Sequence, residues 1–332
     1  MADMTTRLRG VSFPNPVFTA SGCAAAGREL GQFFDVAELG AVVTKSIMLR
    51  PRSGRPTPRM AETPSGMVNS IGLQGPGIDA FIANDLQWLS DNGARAVVSI
   101  AGGTSDEFVE LTRRLSGQPA VAMIEVNISC PNVENRGQVF ACDASASSRV
   151  ISAVRRAADP RTPIFAKLSP DVTDITLIAR ACADAGADGL SLINTLLGMV
   201  IDTDTLAPVL GGVTGGLSGP AIRPVAVRCV WQVHKVVPHL PILGIGGIRT
   251  GLDALEFILA GASAVSVGTA VFGDPNAPMR VLAELEQALD ERGFDSVADA
   301  VGYAHLSKEQ RVARVSDADR FAAASQSAIG TD

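Results

Sequence analysis

Cys130 stands between Asn127-Ile128-Ser129 and Pro131-Asn132, just past a run of apolar residues that ends at Asn127. A cysteine at the start of a polar loop works as a base or nucleophile once deprotonated. Two lysines, Lys45 and Lys167, each follow a strongly apolar stem. An ammonium so placed can form a Schiff base, hold a phosphate or stabilise an anion. Further on, Gly244 to Gly247 and Val267 to Thr269 bring glycines to the ends of two more apolar runs. Glycines there let backbone N–H groups approach a phosphate, and a helix beginning after Thr250 adds the favourable end of its dipole. The pattern is shared by aldolases, isomerases and redox enzymes, so alone it leaves the reaction open.

The remaining reactive residue types narrow the field. Cys182 and Cys229 fall on apolar helix faces, where cysteine acts as a small hydrophobe. Cys23 lies near the end of the first apolar run and stays ambiguous. His234 and His239 flank a helix end and are expected at the surface. Neither they nor His305 sit where a run ends, so the commonest general base is missing from the expected site. No His/Asp/Glu cluster and no CxxC pair is visible, so no metal is expected on this chain.

The elements that must position these groups are short. Val17–Ala20, Ala41–Thr44, Ala96–Ile100, Ala122–Asn127, Ile164–Leu168, Gly189–Asn194, Ile242–Ile245 and Ala264–Gly268 are apolar and rich in Val and Ile. They are predicted to be strands buried on both faces. Helical patterns alternate with them. Thr173 precedes a stretch ended by Gly186; Ser218 precedes Pro220; Thr250 precedes a stretch ended by Gly261. Eight such units predict a single (β/α)8 TIM barrel, an α/β fold with its active site at the C-terminal ends of the strands. A doubly wound sheet is the alternative. At the predicted ends stand Ser21, Lys45 with Ser46, Ser99, Asn127, Lys167, Asn194 with Thr195, Gly246 with Gly247, and Gly268 with Thr269. Together they imply one large polar ligand over the barrel mouth.

Bulk properties agree. The 332 residues are 46% hydrophobic and 5% aromatic, with a net charge of -6 and five cysteines. No basic stripe suggests nucleic acid, and no apolar run reaches the roughly 20 residues a membrane span needs. A cytoplasmic protein is expected, with a barrel over residues 1–315 and a polar, flexible tail over 316–332. The stretches from Lys45 to Arg95 and from Pro131 to Asp143 are predicted as long functional loops.

Several segments are similar to those of one family. TKS (44–46), MAETPSGMVNSIGLQ (60–74), VNISCPN (126–132), AKLSPDVTDI (166–175), GADGLSLINT (186–195), TGGLSGPAIRP (214–224) and GASAVSVGT (261–269) resemble dihydroorotate dehydrogenase motifs, in order and at the family's spacing. The likeness runs from about residue 10 to about residue 305. It implies a flavin enzyme holding one FMN. Cys130 is implied as the base that takes a proton from C5 of dihydroorotate while a hydride leaves C6 for flavin N5, giving orotate. Substrate contacts are implied for Lys45, Asn69, Ser70, Ile71, Gly72, Leu73, Asn127, Asn194 and Thr195. FMN contacts are implied for Ser21, Lys45, Ser46, Ser99, Asn127, Lys167, Ile193, Gly219, Gly246, Gly247, Gly268 and Thr269. The loop from Pro131 to Cys142 is implied as a lid.

A cysteine base resembles the soluble branches. Ile71-Gly-Leu-Gln74 and Thr214-Gly-Gly-Leu-Ser-Gly219 look like the NAD-linked type. That type implies a homodimer flanked by two partner subunits, each carrying FAD and a 2Fe–2S cluster. Ser99 and Gly75 depart from the family, which often has asparagine at both places. The rival readings are a fumarate-linked dihydroorotate dehydrogenase, a dihydrouracil-oxidising enzyme of the dihydropyrimidine dehydrogenase type, and a barrel that binds a phosphorylated ligand without redox chemistry.

Overall fold

A computed structural model describes residues 1–129 and 143–311 of the chain. Cys130 and the loop to Cys142 lie outside the described residues, as does the expected tail. Eight parallel strands make one sheet: Val17–Thr19, Val42–Val43, Ala96–Ile100, Val121–Asn127, Ile164–Leu168, Gly189–Leu192, Ile242–Ile245 and Ala264–Val267. The sheet closes on itself. Phe18 bridges Ala41 in parallel, Thr19 N–H donates to Ala41 C=O at 3.2 Å, and Val43 N–H donates to Thr19 Oγ1 at 2.8 Å. Closure makes this the predicted TIM barrel and removes the doubly wound alternative.

Each strand is buried on both faces, and the two faces have different jobs. On the fourth strand Ile124 and Val126 join the large core between sheet and helices, whereas Met123 packs with Phe18, Val43, Val97, Phe165 and Leu243 inside the barrel. Side chains alternate along a strand, so Glu125 and Asn127 face inward with Met123. The interior is therefore filled with side chains at its lower end, and only its C-terminal rim is left for chemistry. Filling it contributes roughly 1.5–3 kcal/mol for each fully buried Phe or Leu.

The helices begin where the sequence offers a cap, with two corrections. Thr250 accepts from Asp253 N–H while Asp253 accepts from Thr250 N–H, a reciprocal capping box on Gly251–Leu259. Thr173 does not cap its helix: Asp174 does, accepting from Thr176 N–H at 2.9 Å, so the helix runs Ile175–Asp184. A carboxylate directly ahead of the first turn accepts an orphan N–H and suits the dipole. Ser218 gives way to Gly219, which heads a 3-10 turn, Pro220–Ile222, leading into helix Arg223–Val236.

Three antiparallel additions escaped the sequence pattern, the smallest of them pairing Ile201–Asp202 with Ala207–Pro208. Thr6–Leu8 and Val11–Phe13 form a hairpin whose turn residues, Arg9 and Gly10, both have positive φ (47° and 85°). Its Leu8 and Phe13 pack into the barrel's interior cluster. The stretch from Lys45 to Arg95 is not one long loop. It holds a hairpin, Met60–Thr63 with Gly66–Asn69, and a helical run from Ile78 to Asp91. That hairpin joins Gly215–Ser218 and Leu196–Gly198 in a four-stranded sheet. These strands are short and half exposed, so they lack the apolar signature of the barrel strands. His234 is also corrected: it is half buried, tilted against His305 with ring centroids 4.9 Å apart, whereas His239 is exposed.

Gly189 sits opposite Phe165 in the barrel register, and a Cβ there would overlap the Phe165 ring. Gly189→Ala is therefore expected to destabilise the fold by about 1–3 kcal/mol, as overpacking does. A lowered urea midpoint would show it; an unchanged midpoint would mean that the ring has room to move.

Candidate active site

The inward-facing residues at the strand ends turn polar and bond to one another. Ser46 Oγ and Ser99 Oγ lie 2.9 Å apart. Asn127 Nδ2 donates to Ser46 Oγ at 3.0 Å, and Ser129 Oγ donates to Asn127 Oδ1 at 2.9 Å. Asn194 Nδ2 donates to Ser129 Oγ at 2.6 Å, while Thr195 N–H donates back to Asn194 Oδ1 at 2.9 Å. Buried polar groups must be paired, and this chain pairs them across the second, third, fourth and sixth strands. Ser99, departing from the family, is fully buried, and its hydroxyl bonds to Ser46.

The antiparallel sheet adds the next groups. Asn69 pairs with Gly216 in register and donates from Nδ2 to Gly216 C=O at 3.3 Å. A Cβ on Gly216 would overlap the Thr195 hydroxyl, so Thr195 packs directly against the same backbone. Asn69, Asn127, Asn194 and Thr195, scattered over some 125 residues of sequence, thus form one connected polar surface. The segment Ser70–Leu73 continues from Asn69. Arg55 N–H donates to Ile71 C=O at 3.1 Å, and Arg52 Nε donates to Gly72 C=O at 3.0 Å. Gly72 and Leu73 both take positive φ, 77° and 57°. Ser70 is buried there, and its Oγ has no partner among the described residues.

Lys167 rises from the inner face of the fifth strand and is only 3% exposed. Its Nζ donates to Ser21 Oγ at 3.0 Å and lies 3.6 Å from Glu125 Oε1. Lys45 is half buried, with its ammonium beside Gly22. Cys23 lies close enough to both lysines for their charges to pull its thiol down, but burial dominates and pushes it up to about 11. That removes Cys23 from the candidate bases at neutral pH. Cys182 and Cys229 are fully buried, as expected of hydrophobes, and burial raises Cys182 to about 12.

The glycines form a cradle at the far side of the mouth. Gly246, Gly247 and Gly219 all have positive φ (138°, 74° and 94°). A Cβ on Gly219 would lie 2.6 Å from Gly66 Cα, and one on Gly247 2.6 Å from Gly219 C=O. A cavity of about 500 Å³ opens here, lined by Pro64, Ser65, Gly219, Gly247, Arg249 and Thr269. Thr269 Oγ1 donates to Ser218 Oγ at 2.8 Å, tying the eighth strand's end to the antiparallel sheet. Gly268 and the backbone of Ile193 complete the rim; Ile193 N–H donates to Ile245 C=O at 3.0 Å. Side chain-free backbone beside a helix start suits a phosphate, and the buried lysine beyond it suits a ring that gains negative charge. The residues present therefore fit FMN. Sequence reasoning missed Pro64, Ser65, Arg249 and Glu125. For Glu125 a signal existed: an acid inside an apolar, doubly buried strand.

With its thiol raised from 9.0 to about 11, Cys23 is protonated below that range and gains reactivity only as pH climbs through it. We expect iodoacetamide to leave Cys23 unmodified at pH 8 and to label it appreciably only near pH 10 and above, as peptide mapping by mass spectrometry would show. Ready alkylation at pH 8 would contradict the burial argument.

Comparison with known proteins identifies the family. The family model described as "Dihydroorotate dehydrogenase" matches residues 3–289. The "Dihydroorotate dehydrogenase B (NAD(+)), catalytic subunit" of Pelobacter propionicus is 53% identical over 300 residues, covering 90% of this chain and 98% of its own length. The protein of that name from Geobacter sp. (strain M21) is 51% identical over 304 residues, covering 92% and 99%. A crystal structure of the Eimeria tenella DHODH in complex with ferulenol superposes with a TM-score of 0.78 at 25% identity, covering 92% of this chain and 89% of that one. The chain belongs to the dihydroorotate dehydrogenase family.

Proposed function

We propose that this chain oxidises (S)-dihydroorotate to orotate in pyrimidine biosynthesis, with one FMN in the barrel mouth. The observation that carries the reading is the connected amide surface of Asn69, Asn127 and Asn194 beside Lys45, Lys167 and the glycine cradle. A planar ring edged with amides and a carboxylate matches that surface. An analogue lacking those groups would leave buried amides unpaired, which is how such sites discriminate.

The chain's own residues divide the work. Asn127, Asn194 and Asn69 orient the ring, and Thr195 supports Asn194. Lys45 and Lys167 supply positive charge at the mouth, and the backbone at Gly219, Gly247 and Gly268 accommodates a phosphate. FMN, when bound, supplies the acceptor for the hydride from substrate C6. Cys130, outside the described residues, follows Ser129 directly, and Ser129 is hydrogen-bonded to both Asn127 and Asn194. Its thiolate would take the C5 proton, and the loop after it would exclude water. By this reading the enzyme is a cytoplasmic homodimer that passes electrons to NAD through partner subunits holding FAD and a 2Fe–2S cluster. The names of its relatives, catalytic subunits of NAD(+)-type enzymes, support that branch. Among the described residues, no helix is long and apolar enough to cross a membrane.

Anaerobic mixing of the FMN-loaded protein with dihydroorotate should bleach the flavin absorbance rapidly. Cys130→Ser should slow that bleaching by about 10²–10⁴-fold at neutral pH, the usual worth of a general base. Undiminished reduction would take Cys130 out of the mechanism, and no bleaching in the native protein would sink the activity itself. Asn194→Ala should raise the dihydroorotate KM by about tenfold or more, because it strips a partner from Ser129 and from the ring. Steady-state kinetics giving a native KM would refute its binding role.

A further inference from the structure

Among the described residues, Glu125 is a charged group inside the barrel that the reaction above does not use. It is fully buried on the inner face of the fourth strand, two residues below Asn127. Its Oε1 lies 3.6 Å from Lys167 Nζ, and neither carboxylate oxygen has a hydrogen-bond partner among the described residues. In register Glu125 stands beside Ser99 and Phe165, and two further buried hydroxyls of the barrel strands, Ser191 and Ser266, also lack partners among the described residues. A purely structural buried ion pair needs its spare lone pairs satisfied, and an apolar residue of equal volume would stabilise this interior as well or better. Glu125 is therefore poorly explained as a strut.

We propose that Glu125 is a positioning residue for Lys167, a buried counter-charge that holds the ammonium at the barrel mouth and limits how strongly the bound cofactor is stabilised in its reduced form. The inference rests on the FMN reading above. Among the described residues, Lys167 is held between two oxygens, Ser21 Oγ and Glu125 Oε1, on the barrel's inner wall. Lys45 adds a second positive charge nearby, as its influence on Cys23 shows. Two ammonium groups without a counter-charge would favour reduced, anionic flavin so strongly that onward electron transfer would suffer. Glu125 offsets one of them from below, where it cannot touch substrate. In so dry a setting its field is little screened.

The test is spectroelectrochemical titration of the FMN-loaded protein. Glu125→Gln, nearly isosteric and uncharged, is expected to shift the flavin midpoint potential positive by an amount favouring the reduced form about tenfold, or about 30 mV for a two-electron couple. Glu125→Met, also uncharged, should give a shift of the same sign and carries the same test if the glutamine variant does not fold. Glu125→Asp keeps the charge and should stay near the native potential. A yellow Gln or Met variant with the native potential would overturn the proposal, as would an Asp variant shifted as far as Gln. If the native chain takes up no FMN, the cofactor reading fails and this inference fails with it; a retained cofactor with an unmoved potential defeats this inference alone.

Discussion

Closure of eight short strands into a filled barrel dictates where everything else in this molecule can be. Because each strand is buried on both faces, its outward side chains must meet helices and its inward ones must meet each other. Phe18, Val43, Val97, Met123, Phe165 and Leu243 occupy the lower interior, and the Thr6–Phe13 hairpin packs Leu8 and Phe13 against them. Polar groups are then tolerable only toward the C-terminal rim, where they can pair or face a ligand. A sheet left open and flat between Phe18 and Ala41 would make the first and second strands its two edges and carry Ser21 away from Lys167.

At the rim, the governing constraint is the high cost of an unpaired buried polar group, about 1–3 kcal/mol each. Ser99, Ser46, Asn127, Ser129, Asn194 and Thr195 meet it by bonding in sequence. A network satisfied in this way is stiff, so its amides are already oriented for a flat, polar ring. Two exceptions sit where a ligand or a charge would account for them. Ser70 lies in the segment proposed to bind substrate, and Glu125 lies under Lys167. The antiparallel sheet is bound into the same arrangement through Asn69 with Gly216 and Thr269 with Ser218. It links the amide cluster to the glycine cradle.

The barrel was legible because its strands are apolar without alternation and its helices carry caps and glycine stops; Thr250 and Gly261 behave as their types demand. The antiparallel strands were not legible. Met60–Thr63 and Leu196–Gly198 are half exposed and only three or four residues long, so no period distinguishes them from loop. The cap before Ile175 was misplaced by one residue, because Thr173 and Asp174 are both good caps and only the backbone path selects between them. His234 is half buried because it packs against Gly261 and Gly302, whose lack of side chains gives it space.

Sequence alone determined the fold class, the positions of the strand ends, and hence most residues of the candidate site, since chemistry in such a barrel is confined to those ends. Its motifs also identified the family. Only the tertiary structure decided how the groups pair: that Asn127 and Asn194 share Ser129, that desolvation pushes the Cys23 thiol up to about 11, and that Glu125 stands against Lys167. The physical reason is that strand-end identity is local, read from one run of residues at a time. Pairing depends on register and closure, which bring residues 40 to 147 positions apart within hydrogen-bonding distance of each other and exist only once the barrel has formed.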